Sequence, residues 1–172
     1  SNSGVASIGA NGLLSTVAAG NTTVTVTTVD GAFTDNCVVT VIEPQTPYLG
    51  SNHIIPGIIE GEYYDNGGPT VAYNDDNMKD GDLNFRPADN VDVVAKAQAS
   101  NGYSIGWSNQ GEWLEYSVDV TAGTYDIIFT YSSGASAPGD LQVSIQGNIL
   151  ATFSDISNSG GWNNYTTDTI SG

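Results

Sequence analysis

The chain has 172 residues, room for one medium domain or a small domain plus a fragment. Three Lys and Arg stand against 19 Asp and Glu, a formal net charge of −16, which repels nucleic-acid backbones and anionic membrane surfaces and disfavours sulfated or uronic glycans. No apolar run reaches the length that crosses a bilayer, and no signal peptide is present, so it is expected to have been removed or the chain to be an internal piece. With 21 Gly, 9 Tyr, many Thr and no long helical pattern, the composition predicts an all-β protein. Residues 1–43 read as short strands and turns, with hairpin-type signals at Asn11-Gly12 and Asp30-Gly31. Val24 and Val26 alternate with Thr25 and Thr27, and Cys37, Val39 and Val41 repeat the pattern. Cys37 is the single cysteine, so no internal disulfide forms, and it is expected to be a small buried hydrophobe.

The line VASIGANGLLSTVAAGNTTVTVTTVDGAFTDNCVVTV resembles the C-terminal half of a bacterial immunoglobulin-like domain of group 2, through its VAS, its NGL…AAG turn and its two closing strands. That resemblance implies a partial Ig-like β-sandwich over residues 1–43, a spacer in which no polar groups converge. Residues 44–53, PQTPYLGSNH, hold two Pro and a Gly and read as a linker. The only His, His53, falls in it and has no catalytic partners, so it reads as incidental.

From Ile54 the chain changes character. IPGIIEGEYYDNGG predicts a strand in which Glu60 and Glu62 share a face. Two carboxylates pointing the same way repel unless a cation or proton sits between them. Calcium, with six to eight oxygen ligands, suits such a pair; two solvated surface acids are the alternative. The stretch VAYNDDNMKDGDLNFRPADNVDV is a long Asp-rich surface loop. Asp75, Asp76, Asp80 and Asp82 suggest an EF-hand, but Met78 or Lys79 falls where an oxygen ligand is needed. Arg86, the only Arg, is expected to pair with a carboxylate and hold the loop.

The most informative stretch is GYSIGWSNQGEWLEYSVDV, residues 102–120. Leu114, Tyr116, Val118 and Val120 alternate onto a core face, leaving Trp113, Glu115, Ser117 and Asp119 on the other. Burying a Trp is worth roughly 2–3 kcal/mol, so one held among acids and hydroxyls needs a reason. Trp107, just upstream, lies in a Gly/Ser/Asn-rich strand end or loop. Indole faces beside acids and amides suit the ring faces and hydroxyls of a sugar. Further on, Tyr125, Ile127, Phe129 and Tyr131 are expected inward, then Leu141, Val143 and Ile145, with a turn at Gln146-Gly147-Asn148. Trp162 follows a Gly pair and is expected on a loop.

Through "IPGIIEGEYYDNGG", "VAYNDDN", "R…NVDV", "GYSIGWSNQGEWLEY", "VTAGTYDIIFTYSS" and "GGWNNY", in this order, residues 54–172 resemble a family 6 carbohydrate-binding module. The resemblance implies a jelly-roll β-sandwich that is non-catalytic and attached to a secreted glycoside hydrolase, whose catalytic domain is then a partner. It implies two binding areas. In the edge loops, Trp107 and Trp162 match the two aromatics that hold a sugar ring. On a sheet face, Trp113 is the matching aromatic, with Glu115 nearby. It also implies a structural calcium at Glu60 and Glu62. Asn74, Asp75 and Asn109 are further polar candidates, because they lie in loops near the tryptophans. The family pattern continues past the position of Gly172 into a strand bearing an Asn for the loop site and an Asp for calcium, and this sequence contains neither.

The ligand expected is a neutral polysaccharide, β-1,3-glucan or agar-type galactan nearly level, with xylan third. The long loop after Tyr73 looks like that of modules found with marine laminarinases and agarases. A spacer without a glycan site is one rival. A glycoside hydrolase is the other; its obvious carboxyl pair, Glu112 and Glu115, is three residues apart and so falls on opposite faces of a strand.

Overall fold

The computed structural model describes residues 2–76, 81 and 84–172. The expectations placed on Met78, Lys79, Asp80 and Asp82 lie outside the described residues. Among the described residues there is no α-helix.

Alternating Val/Thr runs broken by Asn-Gly and Asp-Gly turns make two hairpins at the N-terminal end. β1 (Ala6–Ile8) pairs with β2 (Leu14–Thr16), and β3 (Gly20–Thr27) with β4 (Thr34–Val41). Gly12 and Gly31 take the left-handed backbone these turns require, at φ +78° and +79°. Val5, Ala6 and Thr22 are buried. Cys37 is exposed, contrary to expectation. It stands opposite Val24 in the ribbon, and Val26 on the same face is 64% exposed, so among the described residues that end of the face is left uncovered.

The rest of the chain pairs in a nested order. β5 (His53–Ile55) pairs with β10 (Val118–Val120), β6 (Tyr73–Asn74) with β9 (Trp113–Leu114), and β7 (Val93–Ala95) with β8 (Tyr103–Ile105). The two inner pairs are antiparallel, as in the folded-over ribbon of a jelly roll, whereas the outermost pair, β5 with β10, runs parallel. The scheme repeats: β11 (Ile127–Tyr131) pairs with β14 (Thr166–Ile170) around the hairpin of β12 (Gly139–Ile145) and β13 (Asn148–Ile156). That hairpin closes at Gln146-Gly147, both at positive φ.

Period-2 alternation builds the core. Tyr64, Ala72, Tyr73, Val91 and Val93 are buried, with Phe85, Tyr103, Ile105, Leu114 and Tyr116 packed on them. Phe129 lies 5.6 Å from Phe153 between the two later strand pairs. Val120 was expected on the core face but is 49% exposed at the end of β10. The segment around Glu60 and Glu62 was expected as strand. It leaves β5 at Ile55 and forms a 3₁₀ turn, Gly61–Tyr63, that Tyr116 holds by donating its hydroxyl to the Gly61 carbonyl at 2.7 Å.

Residues 44–53, read from sequence as a linker, are fastened to the sandwich. Thr46 and Asn66 exchange backbone hydrogen bonds, and Tyr48 packs on Tyr63 at 5.6 Å. His53 opens β5, donates its amide to Ser117 O, and turns its ring edge to Tyr116. The clamp is Arg86, whose side chain is 5% exposed. Its guanidinium lies 3.6 Å from the Tyr64 ring centre and 4.5 Å from that of Tyr48. Its N–H groups reach Asp89 Oδ2 at 2.7 Å and the carbonyls of Tyr64 and Asp65. Asp89 is the carboxylate partner expected of this arginine. Burial pushes the Tyr64 hydroxyl far above the usual tyrosine range.

Removing that guanidinium takes a donor away from Asp89 and from two carbonyls. Arg86→Ala is expected to cost about 3–5 kcal/mol, read as a lowered midpoint in urea unfolding, and Arg86→Lys to recover only part, since an ammonium cannot stack and fork at once.

Candidate functional site

Three indoles stand at the surface: Trp107 is 52% exposed, Trp113 37% and Trp162 60%. Each is placed by a different device.

Trp113 is placed by strand alternation. β9 pairs with β6, Leu114 opposite Tyr73 and Trp113 opposite Asn74. Tyr73 is buried and Leu114 packs on the core, so Trp113 is turned outward. Glu115 follows on the same side and is exposed. Its backbone is locked on both edges: its amide donates to Ala72 O at 2.9 Å, and its carbonyl accepts from Asp65 N at 2.8 Å.

Beside Trp113 the expected polar candidates come together. Asn74 Nδ2 donates to Gly111 O at 3.1 Å. Asn109 N donates to Glu112 Oε2 at 2.7 Å, and the Asn109 amide reaches Asp76 and Glu112. Asp75, Asp76 and Glu112 offer carboxylate oxygens all within 4.8 Å of one another. Burial pushes the Glu112 carboxyl above its ordinary pKa, and the Asp75 charge and a hydrogen bond with Asp76 add to this against the opposing Asn109 amide. Asn74 and Asn109 therefore shape the rim of the Trp113 face. Sequence reasoning missed the part played by Asp76 and Glu112 there. The spacing Asn109-x-x-Glu112 was the available signal, since a carboxylate three residues on is placed to reach back to an amide. Glu112 also lies in the turn before β9 rather than on the strand, so opposite strand faces are not what separates it from Glu115.

Trp107 follows β8 with a backbone φ of +47°. A non-glycine residue in that region costs roughly 1–2 kcal/mol. Its ring edge approaches Gly81, where an added Cβ would lie 3.2 Å from Cζ3. Trp162 sits on the loop between β13 and β14, and its carbonyl accepts from Ser132 Oγ at 3.1 Å. Its indole lies close enough to Gly134 that a Cβ there would fall 2.6 Å from Nε1. Next to it, Asn163 Oδ1 accepts from Lys96 Nζ at 2.8 Å. Among the described residues no ring-to-ring contact joins any two of the three indoles.

Glu60 and Glu62 are not strand neighbours, and their carboxylates bond to two adjacent residues, Ser100 and Asn101. Ser100 Oγ donates to Glu60 Oε2 at 2.5 Å, and Asn101 Nδ2 contacts Glu62 Oε1. Glu62 is 1% exposed, and its charge adds to burial in raising the Tyr116 hydroxyl's pKa.

Exposed indoles, with hydrogen-bonding side chains beside Trp113 and Trp162, are surfaces for a ligand that is itself apolar on one face and polar at its edge. Comparison with known proteins identifies the class. A curated relative, Beta-agarase AgaA of Microbulbifer thermotolerans, is 32% identical over 71 residues, which are 41% of this chain and 16% of that protein. The chain thus spans about a sixth of the relative it matches. The family model for the carbohydrate binding module (family 6) matches residues 83–171, more than half of the chain and including all three tryptophans. The chain is therefore a β-sandwich protein that belongs to family 6 of the carbohydrate-binding modules.

Proposed function

We propose that this module holds a neutral polysaccharide against its exposed indoles and so keeps an attached secreted glycoside hydrolase on its polymer. The observation that carries this is the exposure of Trp107, Trp113 and Trp162 in a protein whose tyrosines and phenylalanines mostly pack on one another. Sugar C–H faces stack on indole with a strength comparable to base–aromatic stacking, roughly 1–3 kcal/mol per ring. Single-site affinity is then modest, and tethering raises the effective concentration of the enzyme on the polymer. The formal charge of −16 favours an uncharged ligand. Similarity to part of a protein named as a β-agarase favours agar-type galactan over β-1,3-glucan. The module is read as non-catalytic because Glu112 is bonded to Asn109 in the turn before β9 and is not paired with Glu115.

A structural calcium belongs to the same reading. Two carboxylates, a hydroxyl and a side-chain amide meet at Glu60, Glu62, Ser100 and Asn101, and a buried Glu62 carboxylate suits a hard cation. The ion's chemistry there is electrostatic: it neutralises the paired acids. Glu60 and Glu62 supply charge, and the Ser100–Asn101 turn is thereby tied to the 3₁₀ turn.

Affinity electrophoresis through agarose, laminarin and xylan gels tests the binding. The wild type is expected to be retarded by agarose most, and Trp113→Ala, Trp107→Ala or Trp162→Ala each to weaken binding by about 1–3 kcal/mol, roughly 5- to 150-fold, with unchanged circular dichroism. Unretarded wild type on every neutral glycan would sink the proposal. Chelation is expected to lower the thermal midpoint; an ion at a hundred times its Kd contributes about 2.7 kcal/mol, several degrees for this chain length. A Glu60→Gln/Glu62→Gln variant should be insensitive to chelator. Glu112 has a folded pKa above its unfolded one, so its ionised form costs stability once pH rises past the unfolded value. Glu112→Gln is accordingly expected to raise the midpoint at pH 7 and to leave it unchanged below about pH 4.

A further inference from the structure

The outward row that begins at Trp113 does not stop at Glu115. Two residues further on, the half-buried Ser117 turns its Oγ to the fully buried Asp65, donating to Oδ2 at 2.6 Å. The same carboxylate oxygen accepts from Gln45 Nε2 at 2.8 Å. Asp65 is fully buried, whereas Gln45 is exposed, so Gln45 lies on the solvent side of the Asp65 carboxylate that Ser117 also bonds. Four residues of extended chain separate Ser117 from Trp113, roughly 13 Å.

Gln45 is held there by more than one bond. Its neighbour Thr46 bridges to Asn66, Tyr48 packs against Tyr63 and the Arg86 guanidinium, and the Gln45 backbone is close enough to Gly67 that a Cβ on that glycine would meet Gln45 Cα at 3.2 Å. Its side-chain orientation is also settled by chemistry. A carboxylate only accepts, so the amide nitrogen must face Asp65 and Oε1 must face away. Asp65 Oδ1 is buried with no hydrogen-bond partner among the described residues, which leaves the carboxylate dependent on Gln45 and Ser117 for its donors. The result is an oriented amide on an exposed residue, with an acceptor and a second N–H left over from its bond to Asp65.

We propose that Gln45 is a further carbohydrate-contacting residue of the sheet face, with Asp65 as its positioning residue, and that this face reads chain length by spanning from Trp113 to Gln45. The inference rests on the binding function proposed above. A disaccharide stacked on Trp113 does not reach Gln45; a longer oligosaccharide lying along the row does, and its hydroxyls then meet the Gln45 amide.

Calorimetric titration of the full chain with agar-derived oligosaccharides from disaccharide to octasaccharide tests this. Gln45→Ala is expected to lose about threefold to tenfold in affinity for the longest ligand, the worth of one hydrogen bond, and nothing for the disaccharide. Trp113→Ala is expected to lose affinity at every length. Gln45→Met keeps the side chain's bulk and should reproduce the Gln45→Ala loss. Gln45→Ala and Gln45→Met that bind every ligand like wild type, with Trp113→Ala impaired, would overturn this inference alone. A loss equal at all lengths and accompanied by a lowered thermal midpoint would overturn it too, as a structural effect. Wild type that binds none of the series, nor laminarin oligosaccharides, would overturn both it and the proposed function.

Discussion

The surface that carries the indoles depends on one buried cation. Arg86 is stacked between Tyr48 and Tyr64 and forks onto the carbonyls of Tyr64 and Asp65. Those carbonyls belong to the stretch whose next contact is the Glu115 backbone, through Asp65 N. The guanidinium therefore fixes the edge against which the Trp113–Glu115–Ser117 row is laid. An arginine is the side chain that does this, because it can offer a flat face to two rings and several donors in its own plane at the same time. The positive charge is engaged by two main-chain carbonyls and Asp89, with the side chain 5% exposed, where such bonds are strong.

Nested pairing then decides which residues are free to bind. Alternate residues face inward along β11 and at Leu114, Ala151 and Phe153, and their neighbours face water without loss of packing. Trp113 is one such alternate. Trp107 and Trp162 obey a different rule. They lie beyond strand ends, one in a left-handed backbone and one against a glycine, so their exposure is set by loop geometry rather than by pleat. A sheet-placed indole and two loop-placed indoles are thus independent features, and loss of one leaves the others in position.

Legibility in the sequence divides along the same line. Alternation is a local signal, and it correctly separated Trp113 and Glu115 from Leu114 and Tyr116. Turn chemistry placed Asn11-Gly12, Asp30-Gly31 and Gln146-Gly147, because left-handed φ is costly for anything but a few residues. Nonlocal facts were not legible. Cys37 alternates like a core residue, yet burial needs a covering layer that its own strand cannot reveal. Two glutamates spaced by one residue look like strand neighbours; Gly61 and the Tyr116 hydroxyl bend that segment into a 3₁₀ turn instead. The Pro-Gln-Thr-Pro stretch has a linker's composition, while its hydrogen bonds to Asp65 and Asn66 come from residues about twenty positions away.

The distribution of charge bears on how such a face selects its ligand. Asp75, Asp76 and Glu112 crowd one end of the Trp113 face, and Glu115 stands on it. An anionic polymer approaching this end meets like charge before its rings can stack, and in water that repulsion extends over about a Debye length, near 8–10 Å. An uncharged sugar meets acceptors for its hydroxyls instead. Burial is the main cause that raises the Glu112 pKa there, and the Asp75 charge adds to it. Carboxylates kept together against their mutual repulsion, around an open indole, make exclusion of charged polymers a property of the face itself and stacking the source of its affinity.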